Sequence, residues 1–145
     1  MNVSSLFAFT ERPAPTEPQW WTADDLPETG EGLALSLDNT VDVTALAATL
    51  PRLAIIRLHF PAFADGRAYS QARLLRRLGF QGHLRAAGKA VVLDQALELR
   101  AAGFDSAELR EDQTAAAWAA WLDQQPSAGL FSADRSVPFG ARRPS

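Results

Sequence analysis

Short strand-like runs alternate with segments of helical spacing through the middle of this chain, and this alternation limits its fold more than any other feature. The strand-like runs are LALSL (33–37), LAIIRLHF (53–60), GHLRAAG (82–88) and DSAELR (105–110). The helical segments that follow them are VDVTALAATL (41–50), RAYSQARLLRRLG (67–79), AVVLDQALELRAAG (90–103) and TAAAWAAWLDQQ (114–125). Alternation with short connections predicts an α/β fold of four βαβ-type repeats around a mainly parallel sheet.

The strand order of such a sheet is limited by the handedness of its connections. Each crossover is expected to be right-handed, which leaves an open doubly wound sheet or a sequential strand order resembling half of a (β/α)-barrel. We favour the sequential order. A four-stranded sheet that does not close has two edges, and exposed edges must be covered. We therefore expect the N-terminal segment, a second copy of the chain or another protein to cover an edge.

A chain of 145 residues suits one domain with a modest core. The expected organisation is an irregular, proline-rich lead-in at 1–32, a single α/β domain at 33–125 and an irregular C-terminal tail at 126–145. Proline removes a backbone donor and disfavours helix and sheet interiors, which is why ERPAPTEP (11–18) is assigned to the irregular part. Trp20 and Trp21 are expected to cover an edge of the core rather than to bind a ligand.

Composition excludes several functional classes. The chain has no cysteine, which excludes disulfides, thiol catalysis and cysteine-ligated zinc or iron–sulfur clusters. Its net charge of −3 argues against nucleic-acid binding by charge. Neither GxGxxG nor GxxxxGK[ST] occurs, so no nucleotide cofactor is predicted. His59 and His83 lack a third ligand at metal spacing and need not share a sheet face, so no metal is predicted either.

The apolar runs also bear on location. None approaches the ~20 residues that a membrane-spanning helix needs. The first residues have neither a basic start nor an apolar core of secretory length. We therefore expect a cytoplasmic protein that contacts no membrane.

Several charged residues stand where strands give way to loops, and parallel α/β folds bind ligands at that end of the sheet. Arg67 and Arg85 are expected to meet at one rim, near a helix N-terminus that favours an anion. The alternative is that these arginines pair with acids such as Asp65, Asp94 or Glu98 and lock the loops. The candidate anion-binding or loop-locking residues are Asp65, Gly66, Arg67, Tyr69, Ser70, Arg85, Asp94 and Gln95.

A second group of cations lies further along the same helical segment. Arg73, Arg76 and Arg77 form a strip that predicts either a solvated helix face or a docking surface for an acidic partner. Tyr69, the one tyrosine of the chain, is expected to anchor a loop through its hydroxyl or to contact a ligand. No nucleophile with a neighbouring base can be argued from the residue order, so no catalytic residue is assigned.

Two stretches of the chain closely resemble a known bacterial family, domain of unknown function 934. They are FADGRAYSQARLLRRLGFQGHLRAAG (63–88) and DQALELRAAGFDSAELRED (94–112), and the resemblance extends over roughly residues 33–122. The residues that match the family's pattern are Asp65, Gly66, Arg67, Tyr69, Ser70, Arg73, Arg76, Arg85, Gly88, Asp94, Gln95, Gly103, Phe104 and Asp105. The chain departs from that pattern in LLRRLGF, which is one residue shorter, and at Lys89, where an acid is usual.

The resemblance implies a role in sulfur metabolism. Members of the family are small cytoplasmic proteins whose genes usually stand beside those of assimilatory sulfite reductase and the sulfonucleotide reductase. This implies an accessory role in sulfate assimilation but supplies no mechanism.

Three functional hypotheses follow. The first is an accessory protein of assimilatory sulfate or sulfite reduction that docks on sulfite reductase, or on another enzyme of sulfate assimilation, and binds a small oxyanion. The second is an enzyme that acts on a phosphorylated or sulfonated small molecule. The third is a structural homodimer in which the matching residues serve the fold alone.

Overall fold

The computed structural model describes residues 5–125, which form a six-stranded sheet with three α-helices. The strands are β1 Ser5–Ala8, β2 Trp20–Trp21, β3 Leu33–Leu37, β4 Leu53–His59, β5 His83–Ala87 and β6 Ser106–Leu109. The helices are α1 Arg67–Arg77, α2 Ala96–Ala102 and α3 Ala115–Asp123. The predicted α/β class with a mostly parallel, open sheet is confirmed. The predicted tail at 126–145 lies outside the described residues.

The lead-in supplies a strand at each edge of the described sheet. The strand order is β1-β6-β5-β4-β3-β2, in which β2 to β6 run parallel and β1 pairs with β6 antiparallel. The segment 1–32 therefore covers β6 with β1 and covers β3 with the two residues of β2. The sequence allowed the N-terminal segment, a second copy of the chain or another protein to cover an edge. In the structure, the lead-in pairs with the strands at both ends of the predicted four-stranded sheet.

The first predicted helix, over residues 41–50, is absent, and this prediction was wrong. Two short 3₁₀ helices, Val43–Leu46 and Leu50–Arg52, connect β3 to β4 instead. The Asp42 carboxylate accepts hydrogen bonds from both the backbone N–H and the hydroxyl of Thr44. Such local side-chain bonds, together with the β-branched residues of the segment, compete with a regular helix.

The α-helices of the described chain pack on one face of the sheet, the core face. The strand residues of this face are Leu35, Leu37, Ile56, Leu58, Leu84, Ala86, Ala107 and Leu109, and all of them are buried. They join a single cluster with Leu75 of α1, Leu99 of α2 and Trp118 of α3. Because alternate strand residues point to opposite faces, the intervening residues project to the other side.

That other side, the polar face, carries an unusual set of side chains. The polar members are Ser36, Arg57, His59, His83, Arg85, Ser106 and Glu108. Arg57 and His59 are two residues apart in β4, and His83 and Arg85 are two residues apart in β5. One face of the sheet therefore builds the core, and the other assembles charged and hydroxyl groups.

Asp105, which is 2% exposed, joins the lead-in, α1 and the sheet. Its carboxylate accepts hydrogen bonds from the Thr10 hydroxyl at 2.7 Å, from Arg76 Nη2 at 2.6 Å and from the Leu84 backbone N–H at 2.9 Å. A buried charge is tolerable only when it is paired and hydrogen-bonded in this way. The lead-in is thus tied to the edge of β6 by a polar anchor as well as by strand pairing.

We predict that Asp105→Asn strongly destabilises the fold. The substitution leaves the Arg76 guanidinium without its carboxylate, and breaking a buried ion pair costs about 3–5 kcal/mol. Asp112→Asn is the matched control, because Asp112 forms an exposed pair with Arg110 at 3.0 Å, a kind of pair worth about 1 kcal/mol or less. Urea unfolding measures both variants, and equal losses would contradict the anchoring role.

Candidate functional site

A straight row of four polar side chains crosses the polar face. Ser36 on β3 is the register partner of Arg57 on β4, Arg57 is the partner of Arg85 on β5, and Arg85 is the partner of Ser106 on β6. In-register residues of adjacent strands have their side chains on the same face. Two arginines are therefore register partners on one face, with a serine at each end of the row.

Each arginine of the row forms a similar group with a serine and a histidine. Arg57 Nε donates to Ser36 Oγ at 3.2 Å, and His59 Nε2 lies 3.0 Å from the same oxygen. We call these three residues the first Arg–Ser–His group.

The second Arg–Ser–His group repeats these contacts two strands away. Arg85 Nε donates to Ser106 Oγ at 3.0 Å, and His83 Nε2 lies 2.7 Å from that oxygen. The two groups arise from mirrored triplets, Arg-Leu-His at 57–59 and His-Leu-Arg at 83–85. Because the triplets run in opposite order, one histidine lies towards the carboxyl ends of the strands and the other towards their amino ends.

Glu108 supplies the negative charge of this arrangement. Its Oε2 lies 3.2 Å from Arg57 Nη1 and forms an ion pair between half-buried side chains. Arg57 lies on β4 and Glu108 on β6, so the ion pair crosses the intervening strand β5. Within residues 5–125, no carboxylate pairs with Arg85. Of the two arginines in the row, only Arg57 is paired with a carboxylate, that of Glu108, within the described residues.

Arg85 is more deeply buried than its neighbour, with 8% of its surface exposed. Burial lowers the pKa of the Arg85 guanidinium, Glu108 opposes this shift and the adjacent Arg57 charge adds to it. Arginine nevertheless remains charged at neutral pH because its ordinary pKa is far above 7. A buried cation beside a second cation is an unsatisfied electrostatic arrangement, and an added anion would relieve it.

The lead-in covers this face at two points. The Trp20 ring lies over the Arg57 guanidinium, with 4.2 Å from its central carbon to the ring centroid, which is a cation–π contact. The Arg12 carbonyl oxygen lies 3.0 Å from His83 Nδ1. A carbonyl can only accept, so Nδ1 carries the hydrogen, and a neutral His83 then accepts the Ser106 hydroxyl hydrogen at Nε2.

Both histidines are shifted towards their neutral forms. Burial lowers the pKa of His59 and Arg57 adds to this, while Glu108 and Asp38 oppose it. Burial also lowers the pKa of His83. The Arg85 charge adds to this shift, while the hydrogen bond with the Arg12 carbonyl and the Asp105 charge oppose it. Their ordinary pKa is about 6.5, so both imidazoles are neutral at pH 7.

The structure does not bring Arg67 and Arg85 together at a rim, which corrects that expectation. Arg67 begins α1 on the core side of the sheet and binds Asp65 through Nη2 at 2.7 Å, with 60% of its side chain exposed. The Asp65 carboxylate also accepts from the Arg67 backbone N–H and from Asn39 Nδ2. These hydrogen bonds from Arg67 hold the pKa of Asp65 well below its usual range. This geometry matches the loop-locking alternative.

The remaining residues of that candidate set lie around α1 and the turn before α2. The Tyr69 hydroxyl donates to Gln95 Oε1 at 2.7 Å and its ring contacts Phe60 edge-on, so the tyrosine anchors this turn. Burial raises the pKa of Tyr69 to about 12. Gly66 immediately precedes α1, and Ser70 and Asp94 are exposed.

Arg76 does not belong to an exposed strip, which corrects the docking interpretation at that position. Its guanidinium donates to the carbonyls of Phe80, Gly82 and Gly103 and to the Asp105 carboxylate. A side chain with this many hydrogen-bond partners fixes α1 to the segments before β5 and β6. Arg73 and Arg77 are exposed, and Arg73 lies 5.9 Å from the Tyr69 ring centroid.

Most of the polar face was missed from the sequence. Arg85 was identified, but Ser36, Arg57, Ser106 and Glu108 were not, and the sequence left open whether His59 and His83 share a face. The signal that could have found them is the mirrored pair of triplets, since a strand places its first and third residues on one face.

A match to a protein-family model shows which family the chain belongs to. The model of the family described as bacterial protein of unknown function (DUF934) matches residues 34–137, which is more than half of the chain. The chain belongs to the DUF934 family. The matched range of this DUF934 protein contains every residue of the two Arg–Ser–His groups and Glu108, while the whole lead-in, residues 1–32, precedes it. No curated protein and no solved structure matches the chain.

Two kinds of feature are absent from the described residues. No helix within residues 5–125 has the length and apolar character of a membrane span. In the same range, no three His, Asp or Glu side chains are grouped so that they could hold a metal ion.

We predict that the protein loses stability as the pH falls below about 6.5. The unfolded histidines have the ordinary pKa of about 6.5, whereas the folded pKa values of His59 and His83 are lower. The unfolded state therefore binds more protons in this window, and stability is lost as the pH falls towards the folded values. Melting temperatures between pH 7.5 and 5.5 test this.

His83→Gln provides the control for the pH prediction. Glutamine cannot take up a proton, so the variant should show a shallower fall in melting temperature over the same range. A melting temperature that is constant with pH, or an unchanged slope in the variant, would contradict the assignment.

Proposed function

We propose that this DUF934 protein binds a small oxyanion on the polar face, between Arg57 and Arg85, as an accessory protein of assimilatory sulfate or sulfite reduction. The observation that carries the binding proposal is the pair of adjacent guanidinium groups with one paired carboxylate, Glu108. Like charges directly opposite each other on neighbouring strands are destabilising, so a fold that keeps them gains when an anion lies between them.

The guanidinium nitrogens still available for an anion support this proposal. Arg57 uses Nε for Ser36 and Nη1 for Glu108, and Arg85 uses Nε for Ser106. In the described part of the chain, the terminal nitrogens of Arg85 and Nη2 of Arg57 form no hydrogen bond with these or other side chains. Planar guanidinium groups bind oxyanions through two parallel N–H donors, which suits a sulfite, sulfate or phosphate ion.

The link to sulfur metabolism has a different basis, which is the resemblance to a family whose genes stand beside those of sulfite reductase. The chain has no cysteine and so no thiol with which to carry electrons. In this proposal the reductase performs the electron transfer, and the DUF934 protein docks on it and holds the anion. The exposed cations of α1, Arg73 and Arg77, are the proposed docking surface for an acidic region of that partner.

We predict that sulfite, sulfate or phosphate raises the melting temperature of the full chain in a saturable way, with chloride at equal ionic strength as the reference. A bound ligand at 100 times its dissociation constant stabilises by about 2.7 kcal/mol. Arg85→Met should abolish the shift without unfolding the protein, because it removes a charge that lies opposite a like charge and has no paired carboxylate among the described residues. Arg77→Met, on the exposed helix surface, should retain it.

Two outcomes would overturn the binding proposal. One is the absence of any saturable shift, and the other is an equal shift in Arg85→Met and Arg77→Met. Docking is tested separately by co-purification of the full chain with sulfite reductase. Failure to associate would remove the docking proposal and leave anion binding intact.

A further inference from the structure

We infer that Ser36 is a nucleophile activated by His59, and that the first Arg–Ser–His group cleaves a phosphate or sulfate ester. The contacts of the Ser36 hydroxyl carry this inference. Its oxygen accepts from Arg57 Nε at 3.2 Å and lies 3.0 Å from His59 Nε2. Since Arg57 can only donate, the single hydroxyl hydrogen of Ser36 is free to point at His59, which is the arrangement of a nucleophile and its base.

The protonation state of His59 fits this role. A general base must be unprotonated at the working pH, and burial together with Arg57 lowers the pKa of His59. Glu108 and Asp38 act in the opposite direction and limit the shift. The imidazole is therefore neutral at pH 7 and able to accept the Ser36 proton.

The second Arg–Ser–His group shows why the first is the reactive one. Ser106 and His83 make equivalent contacts but are only 3% and 4% exposed, and the Arg12 carbonyl fixes the far nitrogen of His83. Ser36 is half-buried and lines a cleft of about 210 Å³ together with Thr22 and Asp38. Ser36 therefore borders a surface cleft, whereas the equivalent serine, Ser106, is buried.

The proposed reaction balances without any further reactant except water. Ser36 Oγ forms a bond to the phosphorus or sulfur atom while the bond to the leaving oxygen breaks. The Ser36 proton passes to His59 Nε2 and then to the leaving oxygen. Next, water gives a proton to His59 and bonds to the phosphorus or sulfur atom, the bond to Ser36 Oγ breaks, and Ser36 Oγ takes the proton from His59 as the inorganic anion leaves. Arg57 and Arg85 stabilise the charge on the non-bridging oxygens, and this part rests on the proposed anion binding.

An uncharged serine reagent tests the nucleophile independently of anion binding. We expect phenylmethanesulfonyl fluoride to sulfonylate the full chain at Ser36, with fluoride leaving, and peptide mass mapping identifies the site. His59→Gln keeps a hydrogen-bonding side chain but cannot take the proton, so labelling should slow by about 100-fold, the lower range of general-base effects. Ser70→Ala, on the exposed surface of α1, should leave the labelling rate of Ser36 unchanged.

Several results would overturn the inference. They are no adduct at Ser36, labelling of Ser36 no faster than that of the exposed Ser70, and equal rates in His59→Gln and the parent protein. Circular dichroism confirms that each variant is folded. Because the reagent carries no charge, labelling that succeeds while sulfite and phosphate give no thermal shift would overturn anion binding alone.

Chromogenic substrates separate the two ester classes. Release of nitrophenolate from 4-nitrophenyl phosphate by the parent protein but not by Ser36→Ala assigns phosphate esters, and the same result with 4-nitrophenyl sulfate assigns sulfate esters. Release from neither compound would overturn the assignment of an ester substrate.

Discussion

The α-helices of the described chain pack on one face of the sheet only, and the rest of the structure depends on this arrangement. Since the α-helices within residues 5–125 cover the core face, the opposite face has to be completed by other means. The lead-in does this by joining β1 and β2 to the two edges and by placing Trp20 over Arg57. Asp105 holds the lead-in in place through Thr10 and connects it to α1 through Arg76. Edge protection and closure of the polar face are therefore achieved by one segment.

The charged residues of the polar face are not those expected to give the most stable fold. Burying paired charges is often no better for stability than burying apolar residues of similar size, and two neighbouring cations add repulsion. Arg57 and Arg85 nevertheless occupy adjacent positions on the two central strands of the six-stranded sheet. Their hydrogen bonds to Ser36 and Ser106 orient them, and Glu108 neutralises one of them. The proposed anion would offset the repulsion between the two arginines.

Local patterns predicted the elements well and the site poorly, for a physical reason. LALSL became β3 without a change of bounds, and the segments after β4 and β6 became α1 and α3, because periodicity and capping are local properties. The site depends on strand register, which places Ser36 beside Arg57 across 21 residues of sequence, and no local pattern fixes register. The Arg76 side chain points into the protein because it pairs with the buried carboxylate of Asp105, which is distant in the sequence.

The central claim is that an oxyanion binds between Arg57 and Arg85. Crystals of the full chain grown with selenate, a tetrahedral anion whose selenium scatters anomalously, test it directly. The account predicts an anomalous peak within hydrogen-bonding reach of both guanidinium groups on the polar face. A peak found only beside Arg67 at the start of α1, or no peak on the polar face at saturating selenate, would contradict it.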